Sequence, residues 1–436
     1  MQRFDYVIVG SGIGGMVLAA MLARRGERVC VLERHYLPGG YGHTFSKQGY
    51  DFCAELHYIW NCGQQQDFGR LLQHLGLENE IRFTPLNPDG YDHFNFPSFR
   101  YELVKGFDRN TERLAAEYPE FRREVADYFS IISSINREVY QLPVSLNPAL
   151  LLKHPLKFHH FLRYRKWTTE KLFDRLRLPL PLRSILAGQM GDIGVPPASA
   201  SLIVQAVVTC GYDAGVYVPE RGFGHLFETL VQYICRQPGC QVLLKNWVVS
   251  FRQTGKSITA ACTKKGRRLL SRRFIFNGDP AALPGLLQAP LPARFQRQLN
   301  YEYSPSSFTV YLGLRNLDLA DYGFGNWNVW HYPHDDLNRV YAEQVDDRRL
   351  ENPFLFMSTP TLHCTTTRLA PAGCQQLVVA TFANYDHFAE LKQLGRGAYK
   401  AEKQGSSGEL VGERAGILNH LRGSEPLGNR NNKAYT

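Results

Sequence analysis

The sequence has no apolar run approaching the roughly 18 residues that a membrane-spanning helix needs, although 44% of its 436 residues are hydrophobic. An integral helical membrane protein is therefore excluded, and a globular chain, soluble or peripheral to a membrane, is expected. The chain enters a strand at about Asp5, so no signal peptide is expected and the location reads as cytoplasmic. Nine cysteines show no CxxC and no paired spacing, which suggests neither a zinc site nor a disulfide framework and fits a reducing compartment. The fourteen histidines include only one adjacent pair, His159-His160, so no metal is expected. A formal charge of +10 comes with no recognition motif, which argues against nucleic acid. Single cores stop growing at about 250–300 residues, so this chain should form two or more lobes.

What is present is organised around Asp5 to Glu33. An apolar run, Tyr6 to Val9, turns through Gly10-Ser11-Gly12-Ile13-Gly14-Gly15, continues as an Ala/Leu/Met-rich segment to Arg25, breaks at Gly26 and closes with Val29 to Glu33. That is strand, glycine turn, helix, strand. Gly10 permits the tight turn, Gly12 lets a pyrophosphate approach the backbone, and Gly15 lets the helix pack on the strand, with free N–H groups of the helix start facing the phosphates. Glu33 ends the second strand, where a carboxylate can accept hydrogen bonds from a ribose and would repel a 2′-phosphate, so NADP is not expected.

The next blocks are Arg34 to Phe45, which includes Gly39-Gly40 and His43-Thr44-Phe45, then Gly49 to Phe52 and Leu56-His57-Tyr58. In this order they resemble the FAD-dependent carotenoid desaturase, carotenoid isomerase and retinol saturase family. The resemblance implies FAD held by Gly10, Gly12, Ile13, Gly14, Gly15, Glu33, Arg34, Gly39, Gly40, His43 and Thr44. The paired glycine would let a second backbone segment close over the extended cofactor. A later strand would lie beside the adenine, making Val248 and Val249 the candidates there, Val249 the chosen one. Phe274 to Pro280 resembles a strand-to-turn block of the family, and Ser358 to His363 a block of its isomerase and saturase branch. The fold implied is α/β: a Rossmann-like FAD-binding domain of glutathione-reductase type with an α+β substrate domain containing an antiparallel sheet. The corresponding division is 1–75 and 213–290 for FAD, 76–212 and 291–394 for substrate, and 395–436 a divergent, poorly ordered tail lacking the family's last flavin-contacting motif.

Between Lys153 and Arg183 nine Lys/Arg face only Glu170 and Asp174, a net +7, with Phe158, Phe161, Tyr164, Trp167, Phe173 and several leucines interleaved. Such a basic amphipathic segment suits either an interfacial helix or a solvated face over a core. Peripheral membrane contact through about 151–183 is the expectation drawn. From Ser307 onward, Phe308 to Leu314, Trp327 to His331, Pro353 to Pro360 and Gln376 to Thr381 read as strands of one antiparallel sheet rich in aromatics, a wall for a long hydrophobic ligand.

The leading reading is an FAD enzyme that desaturates, saturates or isomerises a hydrophobic polyene isoprenoid, a carotenoid or a retinoid. The alternatives are a non-catalytic isoprenoid-binding protein on the same scaffold, a truncated inactive relative, and a flavin amine oxidase. His57 is the proton-transfer candidate, set against the commoner structural role of a lone histidine. Oligomeric state is not legible.

Overall fold

The computed structural model describes residues 3–142, 153–255, 257–364 and 366–411. Residues 151–152 of the basic segment and 412–436 of the expected tail lie outside them.

β1 (Arg3–Val9) is flanked by β2 (Val29–Leu32) on one side and Arg268–Phe276 on the other, all parallel. Gln241–Leu243 extends this core beyond β2, while Ser257–Thr263 and Val248–Thr254 add an antiparallel edge. Val7, Ile8 and all of β2 are buried, as strands covered on both faces must be. The crossover helix α1 (Ile13–Arg24) buries Gly15, Ala19 and Ala23, small residues at four-residue spacing that permit close packing. It ends beside Gly26, whose φ of +81° suits only glycine comfortably.

A second six-stranded sheet runs Ser306–Arg315, Cys374–Ala383, Leu355–Ser358, Asn328–His331, Asp92–Asn95, Arg100–Leu103. The four expected strands after Ser307 all join it. It is mixed rather than purely antiparallel, because Asn328–His331 pairs parallel with Asp92–Asn95, a strand from far earlier in the chain. Strand alternation sorts its side chains. Val329, Leu355, Met357, Leu377 and Val379 enter one aliphatic core, while Trp330, Phe356 and Phe382 face the large aromatic core of the helical insertion.

That insertion comprises Phe107–Glu117, Arg122–Tyr140, His159–Tyr164, Thr169–Leu176, Leu180–Leu186 and Leu202–Asp213, among other turns. Within the basic segment, Tyr164, Leu172, Phe173 and Leu178 are buried in this core and Phe158 is also buried, whereas Leu156 is exposed. This corrects the picture of an apolar face free for a bilayer: the described apolar side chains are mostly used to dock the segment on its own protein. The cations point outward. Arg183 is the exception, tied to Glu170 and to Asp174.

The first part of the expected poorly ordered tail is also different, since Arg396–Val411 is helical and buries Ser406.

Candidate functional site

The glycine turn is enforced sterically. Gly10 has φ +104°, and a Cβ there would lie 2.5 Å from the Asn277 carbonyl oxygen. A Cβ on Gly15 would overlap the Gly10 carbonyl and approach Asn277 Nδ2 to 2.8 Å. Asn277, whose N–H donates to Val9 O at 2.8 Å, thus forms the floor of the turn. Gly12 caps α1 with no side-chain bond, and no acid occupies its first turn. Its leading N–H groups therefore face outward as an anion site. Ile13 is exposed at the rim.

The paired-glycine loop does close over this turn. Gly39 N–H donates to Ser11 O at 3.1 Å, and Gly12 and Gly39 bridge as a parallel pair. A Cβ on Gly40 would sit 3.2 Å from Gly12 Cα. Gly40–Gly42 forms a single 3-10 turn, and His43 Nδ1 bonds back to Gly40 O at 2.6 Å.

Glu33 is buried and its carboxylate fixes the loops. Oε2 accepts from Ser11 N–H at 2.9 Å and Ser11 Oγ–H at 2.8 Å, and Oε1 from His35 N–H at 2.7 Å. Lone pairs remain for a ribose hydroxyl, since a carboxylate offers about four acceptor sites. Arg34 is exposed beside it. The chain then runs alongside 243–249: Glu33 N–H donates to Leu243 O, and Asn246 N–H to Glu33 O. Val248 is buried and Val249 is 39% exposed.

A cavity is lined by Thr44, next to His43 at the end of the paired-glycine loop, and by His57, Gly222–Gly224, Pro360 and His363. Two atoms here are buried without a hydrogen-bond partner among the described residues, Thr44 Oγ1 and His363 Nδ1. His363 Nε2 contacts Trp327 O at 3.1 Å, the tautomer that leaves Nδ1 as an acceptor. Burial pushes His363 down to about 4, so the ring is neutral at physiological pH. Orphaned polar atoms beside an uncapped glycine turn are what a dinucleotide with a polar-edged ring would satisfy. The residues present fit FAD.

His57 lines this cavity and also a larger one of about 440 Å³. The larger one is walled by Ile59, Trp60, Trp330, Phe354, Phe356 and Phe382, with Glu55 and Asp192 as its carboxylates. His57 stands at the junction, its ring centroid 5.2 Å from that of Phe356. Burial, and then His363, push it down to about 4, so it presents a neutral imidazole and not a resting acid.

Sequence reading did not reach a polar cluster on the wall of the larger cavity. Tyr58 OH lies 3.1 Å from Asp92 Oδ2 and 3.2 Å from Asp192 Oδ2, and Tyr212 OH donates to Asp192 Oδ2 at 2.6 Å. Gln189 and Asn328 also donate to Asp92, at 2.7 and 3.2 Å. Its members come from five separate stretches, and none forms a motif alone. Tyr58, adjacent to the chosen histidine, was the one available signal.

A family model described as flavin containing amine oxidoreductase matches residues 13–394. The all-trans-retinol 13,14-reductase of Danio rerio is 25% identical over 415 residues, covering 90% of this chain and 68% of that one. The lycopene-forming phytoene desaturase of Pantoea ananas is 24% identical over 394 residues, covering 84% and 74%. In fold, the chain resembles a solved putrescine oxidase at TM-score 0.58 and 15% identity, covering 99% of this chain and 84% of the other.

Proposed function

The chain belongs to the flavin-containing amine oxidoreductase family and is an FAD-dependent enzyme, and from that premise we propose that it adds or removes hydrogen at a double bond of a polyene isoprenoid. The observation that carries this reading is the aromatic cavity of about 440 Å³ that meets the cofactor side at His57. Trp60, Trp330, Phe354, Phe356 and Phe382 offer a long conjugated chain an apolar, aromatic wall. Relatives that reduce retinol and desaturate phytoene support the same class of substrate.

FAD supplies hydride exchange with carbon when bound. The chain's own residues do the rest. The Gly10–Gly15 turn would hold the pyrophosphate, Glu33 the ribose, the Val249 strand the adenine, and Gly39–Gly40 the lid over the turn. Thr44 and His363 would meet the polar edge of the ring. Neutral His57 and the aromatic wall would exclude water and orient the polyene between the two cavities.

The proposed membrane contact is electrostatic. Lys153, Lys157, Arg163, Arg165, Lys166, Lys171, Arg175 and Arg177 are all exposed on one segment, suited to anionic headgroups from which an isoprenoid is drawn.

The test is anaerobic incubation of FAD-loaded, chemically reduced protein with all-trans-retinol, and of oxidised protein with phytoene, followed by mass analysis. The expected result is gain of two hydrogens in the first case or loss of two in the second. Failure of both by flavin-replete protein overturns the reading. A second reading, amine oxidation, is favoured by Glu55 and Asp192 on the cavity wall, and amine-dependent oxygen consumption would establish it.

A further inference from the structure

The cavity wall holds acids that a purely apolar ligand would not need. On the reading that this cavity takes a polyene, we propose that Asp192, bonded to Tyr58 and Tyr212 and sharing Tyr58 with buried Asp92, takes up a proton when the chain binds and holds it against a polyene carbon. Asp192 is then the site's acid. It provides the proton for one carbon of a double bond whose other carbon accepts a hydride, reduced FAD being the reductant: the Asp192 O–H bond breaks as the π pair forms the C–H bond. The carboxylate left behind is reprotonated from water when the next chain binds.

The geometry separates the two carboxylates. Asp92 is fully buried and accepts from Gln189, Asn328 and Tyr58. The indole N–H of Trp330, buried on the same wall without a partner of normal hydrogen-bond geometry, also lies close enough to favour the Asp92 anion. Among the described residues Asp192 accepts from tyrosine hydroxyls alone, and it presents surface to the cavity it lines. Asp92 is thus the better-stabilised anion, and a shared proton resides on Asp192.

Burial raises Asp192 to about 7, Asp92 adds to the rise, and the Tyr212 and Tyr58 hydroxyls oppose it. That value belongs to the cavity without a chain in it, where the carboxylate still presents surface to solvent, and loss of that solvent raises it further. An apolar chain removes the water, and the proton is taken up as it enters. The groups facing Asp192 are Asp92 on Asp92–Asn95, Tyr58, Tyr212 on Leu202–Asp213 and Tyr332, with Glu55 and His57 on the same cavity. Burial also raises Glu55, to about 7, so it contributes a second uptake, which Asp192→Asn leaves in place.

The experiment uses FAD-loaded, oxidised protein, weakly buffered at about pH 7.5, just above the ligand-free value of Asp192, with an indicator dye, titrated with all-trans-retinol in detergent. Retinol binding is followed separately by quenching of tryptophan fluorescence. Wild type should take up on the order of half a proton or more per retinol bound. Asp192→Asn should quench as before while at least half of the uptake disappears. Tyr58→Phe removes a hydrogen bond to the anion, so its uptake should persist to higher pH than in wild type. Quenching without uptake in wild type, unchanged uptake in Asp192→Asn, or an unshifted Tyr58→Phe profile overturns the proposal while leaving the polyene reading standing. Absence of quenching by flavin-replete wild type overturns both.

Discussion

At the scale of single residues, the dinucleotide turn rests on positions where a side chain has nowhere to go. Gly10 combines φ +104° with a Cβ position 2.5 Å from a backbone oxygen of Asn277, and backbone cannot yield as a flexible side chain can. Gly10→Ala should therefore destabilise the protein by about 1–3 kcal/mol and abolish FAD retention, measured by thermal unfolding and by the absorbance of purified protein. The glycine spacing alone made this position legible. Asn277 was not, because nothing in a sequence places a side chain under a turn some 260 residues earlier. His363 carries a prediction of another kind. Burial holds it at about 4 in the folded state against an ordinary 6.5. The unfolded chain then binds the extra proton between those values, so this ring costs stability as pH falls from 6.5 to 4, on the order of 3 kcal/mol when complete. Asp92 and Asp192, raised to about 6 and 7, act in the opposite direction over the same range. The comparison must therefore be between variants: His363→Gln should lose less stability than wild type from pH 6.5 to 4 in denaturant titrations.

At the scale of elements, the basic segment shows what periodicity can and cannot decide. Its interleaved apolar and cationic residues correctly imply an amphipathic helical stretch, but amphipathicity does not say whether protein or lipid covers the apolar face. The fold answers for the described residues: Thr169–Leu176 buries Leu172 and Phe173, capped by Thr168 Oγ1 accepting from Lys171 N–H at 3.3 Å. Lys171 also lies 4.9 Å from the Trp167 ring centroid. What remains outward is charge, so any membrane affinity of this face must be strongly salt-dependent. Arg165→Glu with Lys166→Glu should weaken sedimentation with phosphatidylserine-containing vesicles by about 1 kcal/mol or more per reversed residue, and leave binding to neutral vesicles unchanged. Equal binding of both proteins to anionic vesicles would dismiss the contact.

At the scale of the molecule, His57 stands where the two cavities meet. Aromatic-rich strands imply an apolar wall, but not that a parallel pairing to Asp92–Asn95 brings a buried acid behind it. That pairing joins segments more than 200 residues apart, and the polar cluster exists only once they meet. The glycine-rich bend before Leu202–Asp213 completes the wall. A Cβ on Gly191 would lie 2.7 Å from the Trp330 ring, and one on Gly188 2.5 Å from that of Phe94. Those glycines are therefore spacers that let the bend sit against the sheet. Gly191→Ala should push Trp330 toward the cavity it lines and shrink the volume open to a long chain, at a stability cost of about 1–3 kcal/mol for overpacking. It packs against the second six-stranded sheet, not the sheet that carries the glycine turn, so FAD content per chain should stay at the wild-type value while retinol affinity falls several-fold. Gly10→Ala should do the reverse to FAD, and with no shared partners the stability losses of the two changes should add within about 0.5 kcal/mol. Loss of FAD from Gly191→Ala would instead mean that the two sheets are coupled, and that the cavity wall supports the cofactor side as well as the polyene.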